Sequence, residues 1–460
     1  MGKAICAVMG KSTTPSTVNQ FWILDFRFWI YPSVANGRFS PRYLEREIMI
    51  KSPEKLADKT FEFTTPVKAN SPELQQLFDF IALGASERDR DRILPFDIID
   101  LLRRSRLGAL RVPVAEGGGG STLRELFEVI IRLGDADPNV AHIIRNHFVV
   151  IERILRSERS DRNRRWLKAV VDGAFFGFAG SELEVKRAGS GTVLNTKLTP
   201  EAGGYRLNGS KYYSTGSLYA DFVAVRLLAP DGTPATAIVP TKREGVELVD
   251  DWDGFGQRLT GTGTTTFTNV RIEADEVVFD TDADNSLLTY NATIPQLFLT
   301  AVNTGIIRNV LRDATNLVHK RPRTFYHAVA EQAADDPLIQ QTVGQISANA
   351  FAAEAIVLAA ADGLDQIITA RAKGEDESAA SLAASLRTTK AKLVVDELTL
   401  RSTTLLFEVG GASTTKKSSN LDRHWRNART LSSHNPAAFK ARAIGNYEIN
   451  GTPLPTGAFF

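Results

Sequence analysis

The chain has 460 residues, of which 43% are hydrophobic, 23% charged and 8% aromatic. This composition excludes a disordered chain, a collagen and a small disulfide scaffold, and the length is typical of about three domains. A formal net charge of +2 gives no general reason to expect nucleic acid or an anionic membrane as a partner. Cys6 is the only cysteine, which excludes an internal disulfide and a cysteine-rich metal site and suits the cytoplasm.

Residues 1–65 differ in character from the rest of the chain. Two strongly apolar runs, 21–24 and 28–31, are separated by Asp25 and Arg27. The runs are too short and too charged to cross a bilayer, which needs about 20 apolar residues. We therefore expect an N-terminal extension of unknown role, with organellar targeting left open, and no transmembrane helix in the chain.

Residues 66–172 carry the periodicity of amphipathic helices, and an N-terminal helical domain is predicted there. One continuous helix is predicted over 140–155. Another helix is expected after the glycine run 117–120, with Ser121 as its N-cap.

Residues 173–285 change to short runs rich in Val, Thr, Tyr and Phe, which predicts a middle β domain. Turns are expected at 208–209 and 230–232, because Asn-Gly and Pro-Asp-Gly are typical turn sequences. Helical periodicity returns in residues 286–460, which are predicted to form a C-terminal helical bundle. Its long apolar stretches lie at 302–317, 346–368 and 382–407.

Four motifs occur in matching structural contexts along this order. They read RVPVAEGG at 111–118, NGSKYYSTG at 208–216, DWDGFGQR at 251–258 and LDRHWRNART at 421–430. Together they resemble the acyl-CoA dehydrogenase superfamily, and most closely its flavin-dependent monooxygenase branch of sulfur-, nitrogen- and phenol-oxidising enzymes. The resemblance implies an α+β fold with an N-terminal helical domain, a middle β-barrel or sandwich domain and a C-terminal four-helix bundle.

The same resemblance implies a two-component monooxygenase. A separate flavin reductase would supply reduced FMN, with FAD as the alternative cofactor. Oxygen would add to the flavin as a C4a-hydroperoxide, which inserts one oxygen atom into a small organic substrate, with organosulfur compounds among the candidates. Such a protein must exclude water and supply hydrogen bonds to the peroxide. Family members are usually homotetramers, so a homotetramer is expected, with no nucleic acid and no membrane as partner.

An FAD-dependent acyl-CoA dehydrogenase is the alternative function. Those enzymes use a carboxylate base to remove the α-proton of a thioester. Asn435 stands where the family has its usual glutamate, and an amide cannot act as a base. The second family position, at 293–296, also lacks an acid. A dehydrogenase with an unrecognised base and a non-catalytic descendant that keeps the fold both remain open.

The resemblance also implies the catalytic and substrate-binding residues. His434, His142 and Thr215 are the expected catalytic residues, with a capping role and a core role as the alternatives for the two histidines. Asn146, four residues after His142, and Leu431 are expected to contact substrate. These two positions depart from a sulfur-oxidising member of the branch, which has tyrosine and histidine there, so the substrate is left open. No metal site is expected.

Nine residues are expected to hold the flavin. In the family, residues of the β domain line the ring, an arginine after a long helix meets the phosphate, and a glycine pair lets the backbone approach the phosphates. The alternatives are ordinary strand residues, a core tryptophan, a solvated helix end and a helix C-cap. The expected residues are Tyr213, Ser214, Thr215, Ser181, Trp252, Arg321, Arg323, Gly410 and Gly411.

Overall fold

The computed structural model describes residues 61–184, 194–280, 288–321, 324–457 and 460. Of the predicted N-terminal extension, residues 1–60 lie outside the described residues. The last part of the extension packs on the helices that follow it. The Phe61 ring stacks on Phe63 at 6.0 Å between centroids and meets Phe80 edge-on at 5.6 Å.

Seven α-helices of the described residues precede the first described strand. N-terminal caps fix where two of them begin. The Ser71 hydroxyl accepts a hydrogen bond from the backbone N–H of Leu74 at the start of α1, and Thr122 forms a capping box with Glu125 at the start of α4. The N-cap is therefore Thr122, and the prediction of Ser121 was wrong by one residue. The helices are α1 Pro72–Leu83, α2 Ala85–Asp91, α3 Phe96–Ser105, α4 Leu123–Ala136, α5 Pro138–Ile143, α6 Arg145–Arg156 and α7 Asp161–Val171.

The helix predicted as continuous over 140–155 is interrupted. Ile144 has φ −84° and ψ 0°, outside the helical region, and it separates α5 from α6. Asp137 begins the segment by accepting the amides of Asn139 and Val140 and by pairing with Arg88 at 2.9 Å. Apolar periodicity continues across the break, which is why the sequence pattern did not show it.

The middle of the chain forms one mixed sheet. Its strand order in the described residues is β6-β7-β3-β2-β4-β5-β8, with β1 added in parallel to β4. The prediction of a turn at 208–209 was wrong, because Asn208 and Gly209 lie inside β3, where the register with β7 shifts. The strands are β1 Phe176–Ala179, β2 Lys197–Glu201, β3 Gly204–Lys211, β4 Phe222–Leu228, β5 Pro234–Pro240, β6 Val246–Leu248, β7 Thr265–Glu273 and β8 Val277–Phe279.

Within the described part of the chain, three long α-helices and two short ones follow the sheet. Of the helices described, α9 is long and apolar enough to cross a membrane by length and composition alone. The core helix of a soluble protein meets the same criterion, and one face of α9 packs in the main hydrophobic cluster. The helices are α8 Leu288–Lys320, α9 Pro337–Ala372, α10 Ser378–Gly410, α11 Asp422–Ser432 and α12 Ala437–Asn450.

The N-terminal and C-terminal helices share one hydrophobic cluster. The backbones of α4 and α8 touch at Gly134 and Gly305, where a Cβ on Gly305 would overlap the backbone of Ile131 and Asp135. A second cluster fills one side of the sheet, and a third joins α6 and α7 to β1, β4 and β5. The architecture is α+β with helical ends and a central sheet, as predicted; the domain limits at 66, 173 and 286 stay predictions.

Candidate functional site

The break between α5 and α6 carries the first polar side chains of the site. His142 lies near the end of α5 and Asn146 near the start of α6, and both are buried. Despite the break, both side chains form hydrogen bonds with residues of the sheet-forming part of the chain. His142 Nδ1 lies 3.1 Å from Gln257 Oε1, and Asn146 Nδ2 donates to the carbonyl oxygen of Thr215 at 2.8 Å.

The His142 imidazole is neutral. Burial is the main cause that lowers its pKa to about 3, and the positive charge of Arg145 adds to it. The bond to the Gln257 carbonyl oxygen assigns the proton to Nδ1, which leaves Nε2 as an acceptor. His142 Nε2 is buried and has no hydrogen-bond partner within the described chain. Its lone pair is therefore available to a donor from a ligand.

Gln257 lies in the loop between β6 and β7 and forms hydrogen bonds with two helices, α5 and α11. Gln257 has φ +52°, and its backbone N–H donates to Asn427 Oδ1 on α11 at 2.6 Å. The preceding Gly256 touches α11 so closely that a Cβ would overlap the carbonyl oxygen of Arg426. Gln257 Nε2 is buried and also lacks a partner in the described residues. The loop thus holds an amide beside His142.

Three threonine hydroxyls continue this polar group. Thr215 Oγ1 lies 2.9 Å from Thr262 Oγ1, which lies 2.6 Å from Thr260 Oγ1. Thr260 in turn donates to the carbonyl oxygen of Gln257 at 2.8 Å. Ser214 is buried beside them, and its hydroxyl has no partner among the described residues. Thr215 and Ser214 therefore lie in the same polar group as His142 and Asn146.

Aromatic side chains border this group. Tyr213 has φ +56° and a 53% exposed side chain, which places its ring at the surface of the site. The Tyr213 ring meets Trp252 edge-on at 6.2 Å, and Trp252 Nε1 donates to the carbonyl oxygen of Gly256 at 3.3 Å. Ser181 accepts the amide of Tyr212 through its carbonyl oxygen at 2.9 Å. Tyr213 thus contacts Trp252, and Ser181 is bonded to the residue before Tyr213. Their contacts with a flavin stay predictions.

His434 lies two residues after α11 and reaches the same region. Its Nε2 is 3.5 Å from Arg145 Nη1, and its Nδ1 is 3.2 Å from Asn435 Oδ1. Solvent reaches the side chain, yet the surrounding protein holds the pKa of His434 well below its usual value, and the Arg145 charge lowers it further. His434 is therefore exposed to solvent on one side, and the lowered pKa favours its neutral form.

The two positions at which the family places its base meet in space. Asn435 and Gln296 are both buried, and Asn435 Nδ2 donates to Gln296 Oε1. Asn435 therefore bonds to an amide within the stretch 293–296, and neither group supplies a carboxylate. The residue types were visible in the sequence; their contact, across 139 residues, was not.

The expected phosphate residues lie at the ends of α8 and α10. Arg321 Nη1 donates to the carbonyl oxygen of Val409 at 3.2 Å, and its guanidinium lies over the Phe325 ring. Gly411 ends α10, where its N–H bonds to the carbonyl oxygen of Phe407 and its φ is +64°. Gly411 therefore caps α10. The contact of the glycine pair with the phosphates stays a prediction. Arg323 lies outside the described residues.

Leu431 is buried in the main hydrophobic cluster, so its substrate contact stays a prediction. Sequence reasoning gave no role to Gln257, Asn427 or Arg145. Gln257 and Asn427 stand inside two of the recognised motifs, and Arg145 stands between His142 and Asn146. Their positions in the sequence could therefore have marked them as site residues, but the sequence could not show which residues they contact.

The polar groups of the site fit a flat ligand with ring nitrogens and carbonyls. Most buried polar atoms in proteins have a hydrogen-bond partner, so unpaired ones need an explanation. Three buried atoms without one are His142 Nε2, Gln257 Nε2 and Ser214 Oγ. They offer acceptor and donor positions beside the exposed Tyr213 ring, as a flavin ring system would need.

Comparisons with known proteins agree with this geometry. A family model of the acyl-CoA dehydrogenase C-terminal domain matches residues 297–439. Dibenzothiophene monooxygenase of Rhodococcus erythropolis is 30% identical over 381 residues, which cover 77% of this chain and 87% of that protein. A probable FMNH2-dependent monooxygenase, SfnC of Pseudomonas putida, is 26% identical over 85% of this chain and 98% of its own length.

A solved structure extends the comparison to three dimensions. The FMN-bound protein TdsC from Paenibacillus sp. A11-2 is 28% identical and superposes with a TM-score of 0.77. The match covers 84% of this chain and 98% of TdsC. The two chains therefore share the arrangement of helices and sheet that builds the site described above.

Proposed function

The chain belongs to the flavin-dependent monooxygenases of the acyl-CoA dehydrogenase superfamily, and from this we propose that it oxidises an organosulfur compound with O2 and reduced FMN. One oxygen atom would enter the substrate and the other would leave as water. The relatives named for dibenzothiophene and FMNH2 support this substrate class and this cofactor.

The observation that carries the proposal is the unpaired polar group at His142. His142 Nε2 and Gln257 Nε2 are buried without partners in the described chain, within a site whose histidines are both neutral. Neutral imidazoles can accept or donate one proton each. FMN, when bound, would supply the two electrons that reduce oxygen. The chain's residues would hold the ring, exclude water and bond the reacting oxygen atoms.

Each expected residue has a proposed part. His142 and His434 would hold protons at Nδ1 or Nε2 close to the reacting oxygen atoms. Ser214 and Thr215 would bond the ring system, with Tyr213 and Trp252 as walls that keep water out. Asn146 is bonded to the Thr215 backbone, so we propose that it positions Thr215 and borders the substrate.

The acyl-CoA dehydrogenase alternative is disfavoured by a specific contact. A dehydrogenase needs a carboxylate that can reach the substrate's α-proton. Asn435 stands at one expected position for that group and bonds to Gln296, within the stretch 293–296 where the other is expected and no acid occurs. We therefore do not expect thioester oxidation.

The proposal extends to partners and location. A separate reductase would supply reduced FMN, and the protein would act as a homotetramer in the cytoplasm. The flavin phosphate would be bound near Arg321 and the Gly410–Gly411 end of α10, where Arg321 already contacts the backbone. Arg323 stays a candidate for the same role. The single cysteine is consistent with a reducing compartment.

An isotope experiment tests the reaction. Purified protein is mixed with FMN, an NADH-dependent flavin reductase and dibenzothiophene or benzenesulfinate under ¹⁸O₂, and the product is analysed by mass spectrometry. We expect product heavier by one ¹⁸O, formed only with protein present. Unlabelled product or none from every organosulfur compound tried would contradict the proposal. In the parallel anaerobic assay with FAD-loaded protein, bleaching of the flavin by an acyl-CoA would instead establish the dehydrogenase.

A further inference from the structure

Arg145 lies between the two histidines of the site. It is the first residue of α6, directly after the break at Ile144, and its side chain is partly exposed. Its Nη1 lies 3.5 Å from His434 Nε2. Its charge also lowers the pKa of both His142 and His434, as expected for a cation close to both rings. The guanidinium thus contacts His434 and acts electrostatically on both imidazoles.

No carboxylate compensates this charge in the described residues. Arg145 forms no ion pair there, its Nε is buried without a partner, and burial alone lowers its pKa to about 10. Lys392, whose charge also acts on His434, is bonded to the buried acid Asp396. Because His142 and His434 are neutral, Arg145 leaves the site with an unbalanced positive charge.

An arginine in this setting is suited to an anion. Removing a guanidinium from water is costly unless it is paired, and its planar fork matches two oxygens of one oxyacid group. An ordinary structural arginine of this chain, such as Arg111, satisfies that need with Glu152 at 2.6 Å. Among the described residues, Arg145 instead meets a neutral imidazole, His434, at 3.5 Å. A ligand of the site must therefore supply the negative charge.

We propose that Arg145 determines specificity by binding the two oxygens of a sulfinate substrate. This inference rests on the proposed function and narrows its substrate class to anionic organosulfur compounds. Sulfinate combines the charge and the oxidisable atom in one group. Held at Arg145, its sulfur would lie within a few ångströms of His434.

The reaction balances with the reactants already named. The sulfur lone pair of RSO2⁻ forms a new bond to one oxygen atom of O2. Reduced FMN supplies the two electrons and two protons that convert the other atom to water. The products are RSO3⁻, oxidised FMN and H2O, so the negative charge stays on the group that Arg145 binds.

Two substrates of similar shape, one anionic and one neutral, show how much the negative charge of the substrate contributes. Benzenesulfinate and methyl phenyl sulfoxide differ chiefly in the replacement of an anionic oxygen by a methyl group. We would measure kcat/KM for both, with reduced FMN and O2, in wild type, Arg145→Gln and Arg145→Lys. The matched control is Arg164→Gln, because Arg164 is exposed on α7 and forms only a surface pair with Asp161.

We expect Arg145→Gln to lower kcat/KM for benzenesulfinate at least about tenfold, as loss of a hydrogen bond to a charged group predicts. The value for the sulfoxide should fall several-fold less, because the sulfoxide lacks the anionic oxygen and is affected only through the contact of Arg145 with His434. Arg145→Lys keeps the charge without the fork, so the loss for sulfinate should be intermediate. Arg164→Gln should behave as wild type. Melting temperature and FMN binding identify a variant that fails to fold, in which case Arg145→Lys decides by the same comparison.

Binding of benzenesulfinate to the FMN-loaded protein, measured by calorimetry, distinguishes failure of the monooxygenase proposal from failure of the sulfinate assignment to Arg145. If wild type binds the sulfinate, Arg145→Gln does not, and neither compound is oxygenated, the monooxygenase proposal fails and the anion assignment stands. Equal losses for both substrates, together with weaker binding of reduced FMN, would show that Arg145 serves the flavin and would overturn the inference. Failure of wild type to bind sulfinate would overturn it as well.

Discussion

Two buried histidines five residues apart have different surroundings. His147 uses both nitrogens: Nε2 lies 2.9 Å from the carbonyl oxygen of Gly108, and Nδ1 accepts the amide of Phe176 at 3.1 Å. His142 uses only Nδ1. A histidine with both partners supplied by the backbone is structural, whereas one with an unpaired nitrogen is available to a ligand. The contrast identifies His142 rather than His147 as a residue of the site.

The His147 contacts predict an acid-sensitive fold. Burial lowers the pKa of His147 to about 4, against 6.5 in the unfolded chain, because the charged imidazolium would lose its hydration. Protonation of Nδ1 would also break the bond that it accepts from Phe176. Above pH 6.5 the imidazole is neutral in both states. Between pH 6.5 and 4 the unfolded chain binds the proton, so stability falls as pH falls, by up to about 1.4 kcal/mol per pH unit.

Urea unfolding at pH 7, 6 and 5 measures this loss. His147→Gln keeps a donor for Gly108 but cannot titrate, so its free energy of unfolding should depend on pH less steeply than that of wild type. The buried His142 and His424, whose pKa values are also lowered, should maintain a remaining slope. Parallel curves for wild type and variant would contradict the assignment.

At the scale of elements, the site depends on how the β6–β7 loop meets α11. The contact of Gly256 with Arg426 and the bond from Gln257 to Asn427 hold the loop against the helix. Through Gln257 the same loop orients His142. A loop thereby joins the first and last helical regions at the site, which explains how residues far apart in sequence act together.

Gly256→Ala should detach the loop. The added Cβ overlaps the Arg426 carbonyl oxygen, so the Gln257–Asn427 bond must lengthen or break, at a cost of about 1–3 kcal/mol in unfolding free energy. We expect oxygenation to decrease more than stability, because His142 loses its oriented partner. The control is Gly344→Ala on α9, where nothing lies within 4 Å and a small gain of about 0.5–1 kcal/mol is expected. Wild-type activity in Gly256→Ala would argue against a role for the loop.

Over the whole molecule, the helical ends of the chain form a single packed body. One hydrophobic cluster includes residues of α1, α4, α8, α9 and α10, and the sheet is attached through a separate cluster on α6 and α7. The glycines at 134 and 305 permit the closest approach of α4 and α8. Because α4 leads directly into α5, that approach also sets the position of His142.

Gly305→Ala should push α4 and α8 apart. Its Cβ would lie 2.6 Å from the Asp135 nitrogen and the Ile131 carbonyl oxygen, which are backbone atoms that cannot rotate away. Overpacking of this kind costs about 1–3 kcal/mol, measured as a lower urea midpoint. Gly445→Ala on α12, where nothing lies within 4 Å, is the control. Unchanged stability of Gly305→Ala would show that the helices can separate without cost.

Much of the fold follows from local sequence pattern, and the exceptions have physical causes. The helix–sheet–helix order is correct because periodicity is a property of neighbouring residues. The break at Ile144 and the place of Asn208–Gly209 inside β3 escaped detection because packing on other elements, and not local propensity, decides them. The Thr122 cap differs from the prediction by one residue, an ordinary uncertainty of helix ends.

The sequence by itself determined the residue types on which the chemistry depends: an amide at 435 in place of an acid, two histidines, and the motifs that place the chain in its family. Only the tertiary structure decided which of these groups meet. Gln257 lies 115 residues from His142 and 170 from Asn427, and Arg145 lies 289 from His434. Hydrogen bonds and ion pairs act over a few ångströms, so such partners are fixed by how helices and loops pack, which no local pattern records.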